Sequence, residues 1–190
     1  MFYPATADIP ECFTTEEFVI RPLRTTDAEL DYEAVISSRA ELRRRSGGTW
    51  PREGFTLEEN LADLVRHEQE HRDHVAFTFT VMNPTETECL GCIYINPMAR
   101  MLARAGGNSE QIAEAGDYAA WVTFWVRQSR LPDDLDVRLL NTLLARFKTE
   151  WAFARVVFAA RKTQERQIRL FAEAGLHLVY TLPNWLVYQP

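Results

Sequence analysis

The chain has 190 residues and a formal net charge of −6, with 46% hydrophobic and 12% aromatic residues. That much apolar side chain can bury a sizeable core, which excludes disorder, and the acidic balance argues against a nucleic-acid partner. No apolar run reaches the length of a membrane span, and the first residues lack the basic and apolar regions of a signal peptide. Three cysteines imply no disulfide framework, so a reduced, cytoplasmic setting is expected.

Residues 1–17, with Pro4 and Pro10, predict a lead-in segment, and 18–190 a single domain. Phe18 to Leu23 is a strand, which Pro22 confines to an edge or a strand end. Thr26-Asp-Ala-Glu29 matches a capping box, and Leu30, Ala34, Val35 and Leu42 continue a helical stripe that frays into Arg43-Arg-Arg-Ser-Gly-Gly48. A second box, Thr56-Leu-Glu-Glu59, opens a helix to about residue 73 whose apolar face is Leu57, Leu61, Leu64 and Val65. Val75 to Met82 alternates as a strand and returns through Asn83–Glu88 into Cys89 to Ile95, a hairpin. Residues 97–117 form an insertion of one or two short helices, a candidate lid.

Trp121 to Arg127 is a buried strand, 128–134 a loop, and Leu135 to Trp151 a long amphipathic helix leading to the apolar run Arg155 to Ala160. A helix that begins beside a strand end collects unpaired N–H groups and favours anions. Here the loop holds Leu131, Pro132 and Asp134, with Asp136 just beyond, so a carboxylate takes the place of an outside anion as the helix cap. A last helix, 163–174, is closed by Gly175 and followed by two short strands, His177–Thr181 and Trp185–Tyr188. The order is that of a mixed α/β sheet with helices on both faces.

Several constellations compete as sites. His67-Glu-Gln-Glu-His71 matches H-E-x-x-H, a zinc hydrolase pattern with Glu68 as base, but its flanks, including His74, read as a solvated helix end. Cys89-Leu-Gly-Cys92 matches C-x-x-C, yet strand alternation sends the two sulfurs to opposite faces, as inert core cysteines and no metal site. Arg43, Arg44 and Arg45 either attract an anionic group or complement a helix C-terminus. Trp50 either lines a pocket or staples its loop.

The order of elements resembles the GNAT superfamily of acyl-CoA N-acyltransferases from Phe18 to Tyr188. Trp125-Val-Arg127 with its loop and helix, the run Gln164 through Leu170-Phe-Ala-Glu-Ala-Gly-Leu176, Gly91 in the hairpin and the leading Ile-Arg-Pro-Leu carry the likeness. The resemblance implies a mostly antiparallel sheet of six or seven strands. It implies acyl transfer from acetyl-CoA or another acyl-CoA to an amine, either a small molecule or a protein N-terminus. Trp125, Val126, Arg127, Gln164 and Phe171 would lie along the cofactor. The family's phosphate loop is replaced, since Leu131, Asp134 and Asp136 stand at its basic and small positions. Trp121 and Phe171 stand where a Glu base and a Tyr acid are frequent, which leaves Asp117 and Tyr118 as the nearest catalytic substitutes. The alternative is a GNAT-fold binding module without transferase activity. Oligomeric state is left open, a homodimer being compatible.

Overall fold

The computed structural model describes residues 1–190. Its strands are β1 (Phe13–Thr14), β2 (Val19–Pro22), β3 (Phe77–Met82), β4 (Cys89–Pro97), β5 (Ala119–Val126), β6 (Arg155–Arg161), β7 (His177–Thr181) and β8 (Trp185–Gln189). Its helices are α1 (Ala28–Ser37), α2 (Arg39–Ser46), α3 (Leu57–Arg72), α4 (Met98–Arg104), α5 (Ser109–Glu114), α6 (Leu135–Thr149) and α7 (Glu165–Glu173). The sheet has eight strands in the order β1-β2-β3-β4-β5-β6-β8-β7, more than the six or seven expected. The additional strand is β1, within the segment read as a lead-in, where Phe13 and Thr14 pair with Ile20 and Val19. Pro22 ends β2 opposite Phe79, past the reach of β1, so its missing N–H costs no sheet bond. No helix is long and apolar enough to cross a membrane.

Contacts group the chain into two compact units. One comprises Pro10–Tyr94 and Phe124–Asp136; the other comprises Met1–Ile9, Ile95–Thr123 and Val137–Pro190. In the first, the helical stripe expected to run unbroken from residue 28 is two helices that part at Ser38, whose hydroxyl is turned to the backbone N–H of Gln128 at 3.0 Å. The supposed fraying at Arg43 is absent. α2 continues to Ser46 and stops at Gly47, which takes φ 74° and returns N–H groups to Arg43 and Arg44 through Gly48 and itself.

The helix α3 starts at the Thr56–Glu59 box as expected, with reciprocal bonds of 3.3 and 2.9 Å. Its inner face differs from the one anticipated. Leu61 and Val65 are 41% and 51% exposed, while Asn60 and Leu64 are buried and His67 and His71 half-buried. The polar residues turn inward because each finds a partner there. Asn60 donates to the Ala28 carbonyl and to Asp31, and both imidazoles reach Thr78 on β3.

In the second unit, β5 and β6 pair in parallel from Ala119↔Arg155 to Val122↔Phe158. β6 then pairs antiparallel with β8, and β8 with β7. Small buried residues, Ala119 and Ala120 at the start of β5 and Ala159 and Ala160 in the second half of β6, leave room for large rings. Trp121 meets Trp185 edge-on at 5.8 Å, and Phe158, Phe171 and Tyr188 form a second chain of edge contacts. Tyr3 is buried against Trp151 and Phe153, so the first residues belong to this core. The segment 97–117 holds α4 and α5, with Met98 and Leu102 buried.

Candidate functional site

The stretch after β5 was the expected anion junction, and its backbone shows where the amides go. Arg127 N–H donates to the Leu90 carbonyl at 2.7 Å. Gln128 N–H goes to Ser38. Arg130, Leu131, Asp133 and Asp134 each donate to the carbonyl three residues back, at 2.9 to 3.3 Å. Pro132 has no N–H. The loop is thus wound into consecutive tight turns, and its donors close on the loop rather than pointing outward as a phosphate cradle requires. Asp134 holds φ 54° without a glycine, and Asp136 is 2% exposed in the first turn of α6.

Charge at the loop is also spent. Arg127 makes a bidentate pair with Glu33 at 2.5 Å and lies 3.6 Å from Glu88, and Arg130 pairs with Glu88 at 2.7 Å. The Glu33 contact raises the Arg127 pKa above its ordinary value. Two arginines against two glutamates leave no surplus cation for a pyrophosphate. The loop residues therefore do not fit that group.

At the strand end, Trp125 and Val126 are buried, the indole N–H of Trp125 reaching the Tyr94 hydroxyl at 3.3 Å. Gly91 of β4 approaches so closely that a Cβ there would stand 2.1 Å from the Trp125 carbonyl oxygen. Gly91 has φ 156°, and this break in the pleat corrects the expectation for the two cysteines. Their sulfurs do not point to opposite faces: with a carboxylate oxygen of Asp31 they lie within 4.8 Å of one another, all three residues buried. Cys92 Sγ is 3.3 Å from Asp31 Oδ1, and Asn60 donates to Asp31 Oδ2 at 3.0 Å. Burial pushes the Asp31 pKa up, against the pull of the Asn60 and Cys92 bonds. The bond with Cys89, together with burial, pushes the Cys92 thiol well up.

A pH dependence follows. A carboxyl whose folded pKa is raised binds its proton more tightly folded than unfolded, so its contribution to stability is full below the unfolded pKa and is lost as pH rises through the folded one. Asp31→Asn keeps an acceptor for Asn60 and removes the titration. The unfolding midpoint of the variant is expected to gain on that of the unaltered chain as pH is raised from about 4 to about 8, starting near the ordinary Asp pKa. A constant difference across that range, measured by thermal unfolding, would rule out a raised Asp31.

The remaining candidates fall elsewhere. His67 and His71 are not a solvated helix end. Their rings pack on Tyr94 and on Phe77 and Phe79, and burial lowers both pKa values. Glu68 accepts from the Thr25 N–H, so the H-E-x-x-H residues are engaged in holding α3 to its neighbours. Arg45 reaches the Phe124 carbonyl and lies over Tyr94, Arg44 pairs with Glu41, and Arg43 donates to the Pro51 carbonyl. Trp50 staples its loop, edge-on to Phe55 and tied to Ser46.

In the second unit, Gln164 stands just before α7 and its side-chain oxygen accepts from the Arg161 N–H at 2.8 Å, with no side-chain bond into the helix. Phe171 has no exposed surface. Asp117 pairs with the Met1 amino group, and the Tyr118 hydroxyl lies 3.7 Å from the Met1 sulfur. Both thus face the start of the chain. Three features escaped sequence reading: the Glu33–Arg127–Glu88–Arg130 network, the Asp31 cluster and the role of Ser38. Each joins residues far apart in sequence, and none carries a local signal.

No protein-family model matches the chain, and no curated protein matches its sequence. Solved structures match its fold. A ribosomal L7/L12 alpha-N-protein acetyltransferase, RimL, in complex with coenzyme A is similar over 95% of this chain and 97% of its own, at 14% identity and TM-score 0.71. The ribosomal-protein-S5-alanine acetyltransferase of Vibrio fischeri is similar over 95% and 96%, at 15% identity and TM-score 0.68. The microcin C7 self-immunity acetyltransferase MccE, with acetyl-CoA and AMP, is similar over 93% of each chain, at 11% identity and TM-score 0.69. The chain therefore has the GNAT fold.

Proposed function

We propose that this protein is an acyl-CoA-dependent N-acyltransferase that grips the thioester arm of its donor and not the pyrophosphate. The observation that carries the reading is the GNAT fold, matched end to end by acetyltransferases solved with CoA or acetyl-CoA. Trp125, Val126 and Arg127 are the donor-binding residues we assign, acting through the backbone of a strand end packed against Gly91. The acceptor we assign is an amine, on a protein N-terminus or a small molecule. Attack of its neutral nitrogen on the thioester carbonyl forms the C–N bond as the C–S bond breaks, and the proton lost by the nitrogen passes through solvent to the departing thiolate, which leaves as the thiol. Positioning supplies the rate enhancement, because neither Asp117 nor Tyr118 is free of the chain start.

A second reading, a GNAT-fold binding module without transferase activity, is favoured by the loop itself, whose turn amides bond within the loop and whose arginines face Glu33 and Glu88. Calorimetry with acetyl-CoA separates the two. Acyl transfer predicts saturable binding, with a Kd between about 10 μM and about 1 mM given the missing phosphate cradle. Absence of heat at millimolar acetyl-CoA would leave only the binding module.

A further inference from the structure

We infer an anion-binding site on α2, built from Arg39 and Arg43, for a phosphate or carboxylate group of a small molecule. Arg39, Arg43, Gly48, Thr49, Arg52 and Glu53 line a hollow of about 520 Å³. That volume suits a small ligand. It lies wholly within the unit of Pro10–Tyr94 and Phe124–Asp136.

Arg39 and Arg43 are four residues apart on α2, so their side chains share one helix face. Neither guanidinium is answered by a carboxylate. Arg39 donates to the Arg52 carbonyl at 2.8 Å and Arg43 to the Pro51 carbonyl at 3.0 Å. Each bond uses part of a five-donor fork and fixes its plane, while the positive charge is left available. These bonds also separate the pair from ordinary helix-end cations. Their acceptors are in the loop that follows, whereas the last carbonyls of α2 are met by Gly47 and Gly48.

The neighbouring arginines are committed. Arg52 is held by two bonds to Glu59, at 2.6 and 2.9 Å, and forms a wall; Arg44 and Arg45 bond to Glu41 and the Phe124 carbonyl. At Gly48, φ 91° leaves the space beyond the Cα open, with nothing within 4 Å of where a Cβ would stand. Arg39 and Arg43 on one helix face, against the single lining carboxylate of Glu53, leave the hollow net positive on a chain of net charge −6, a local well that draws anions. Arginine forks match phosphate and carboxylate alike.

The test uses the whole chain with inorganic phosphate and, separately, citrate, at low ionic strength and without acyl-CoA. Amide resonances of the labelled protein are followed during each titration. We expect saturable shifts at Gly48 and Thr49, and an affinity that falls by about tenfold or more in Arg39→Gln/Arg43→Gln and holds in Arg44→Gln. Added salt should weaken binding, and the tighter of the two probes identifies the anionic group. No saturation by either probe at about 50 mM, well above any useful site affinity, overturns the assignment in the unaltered protein alone. Equal affinity in the double variant overturns it as well. Because acyl-CoA is absent throughout, either result leaves the acyltransferase reading where its own titration puts it.

Discussion

Gly91→Ala is expected to lower the unfolding midpoint by roughly 10 °C. The added carbon would meet the Trp125 carbonyl oxygen at 2.1 Å and the Val126 Cα at 3.1 Å. These are backbone atoms of a fully buried strand, so no flexible side chain can give way. Overpacking of this kind costs about 1–3 kcal/mol, and an L-residue at a positive φ adds about 1–2 kcal/mol. The sum, about 2–5 kcal/mol, is a large share of ordinary domain stability. The two strands must separate or the break in the pleat must be lost, and either change moves Cys92 from Asp31. Thermal unfolding measures the cost, and the rate of thiol modification at Cys89 and Cys92, now buried, should rise with it. A loss below about 1 kcal/mol, ordinary for a surface site, would mean that the close approach is not a real constraint.

Asp27→Ala should destabilise by up to about 3–5 kcal/mol, because it takes the two-point carboxylate from a buried cation and leaves it only Glu86, a half-exposed partner on its Nε. Arg21 is 7% exposed and Asp27 5%, and they form a two-point pair at 2.8 and 2.9 Å. The bond to Asp27 holds the Arg21 pKa well above its ordinary value. Asp27 also accepts from the Arg24 N–H at 3.0 Å, which caps the turn before α1, so the truncation removes two functions. The box expected at Thr26–Glu29 is therefore set two residues earlier, from Arg24 to Asp27, with Asp27 as its acid. The charge is the dominant part. Arg21→Met combined with Asp27→Leu removes both ions and should recover most of the loss. Denaturant unfolding of the two singles and the double closes a cycle. Additive losses would show that the pair makes no coupled contribution.

What the sequence made legible was what depends on neighbours in sequence. The Thr56–Glu59 box, the stop at Gly175 and the alternating run at β3 are local arrangements, and each stands where its residues implied. The departures have long-range causes. Alternation alone separates Cys89 from Cys92; it takes the carbonyl of Trp125, 34 positions beyond Gly91, to impose the break that brings them together. Hydrophobicity alone turns Leu61 and Val65 of α3 inward; Asn60, His67 and His71 displace them because Ala28, Asp31 and Thr78 wait with partners. The loop after β5 lies between these cases. Its lack of glycine could be read, and so could the poor match to a phosphate. That its amides turn back on their own carbonyls, and that Glu33 and Glu88 consume its arginines, needed coordinates.

The central claim is that an acyl thioester is held at the strand end of Trp125–Arg127 while the following loop holds no phosphate. Parallel titrations with acetyl-CoA and acetyl-pantetheine, followed on the amide resonances, test it most directly. Acetyl-pantetheine lacks the nucleotide and its phosphates, and is expected to bind within about fivefold of acetyl-CoA, a difference of about 1 kcal/mol. Both ligands should shift the amides of Trp125, Val126 and Arg127 and leave those of Arg130, Leu131, Asp133 and Asp134 in place. A loss of about a hundredfold with acetyl-pantetheine, together with shifts at those four loop amides, would show a working phosphate site and contradict the claim.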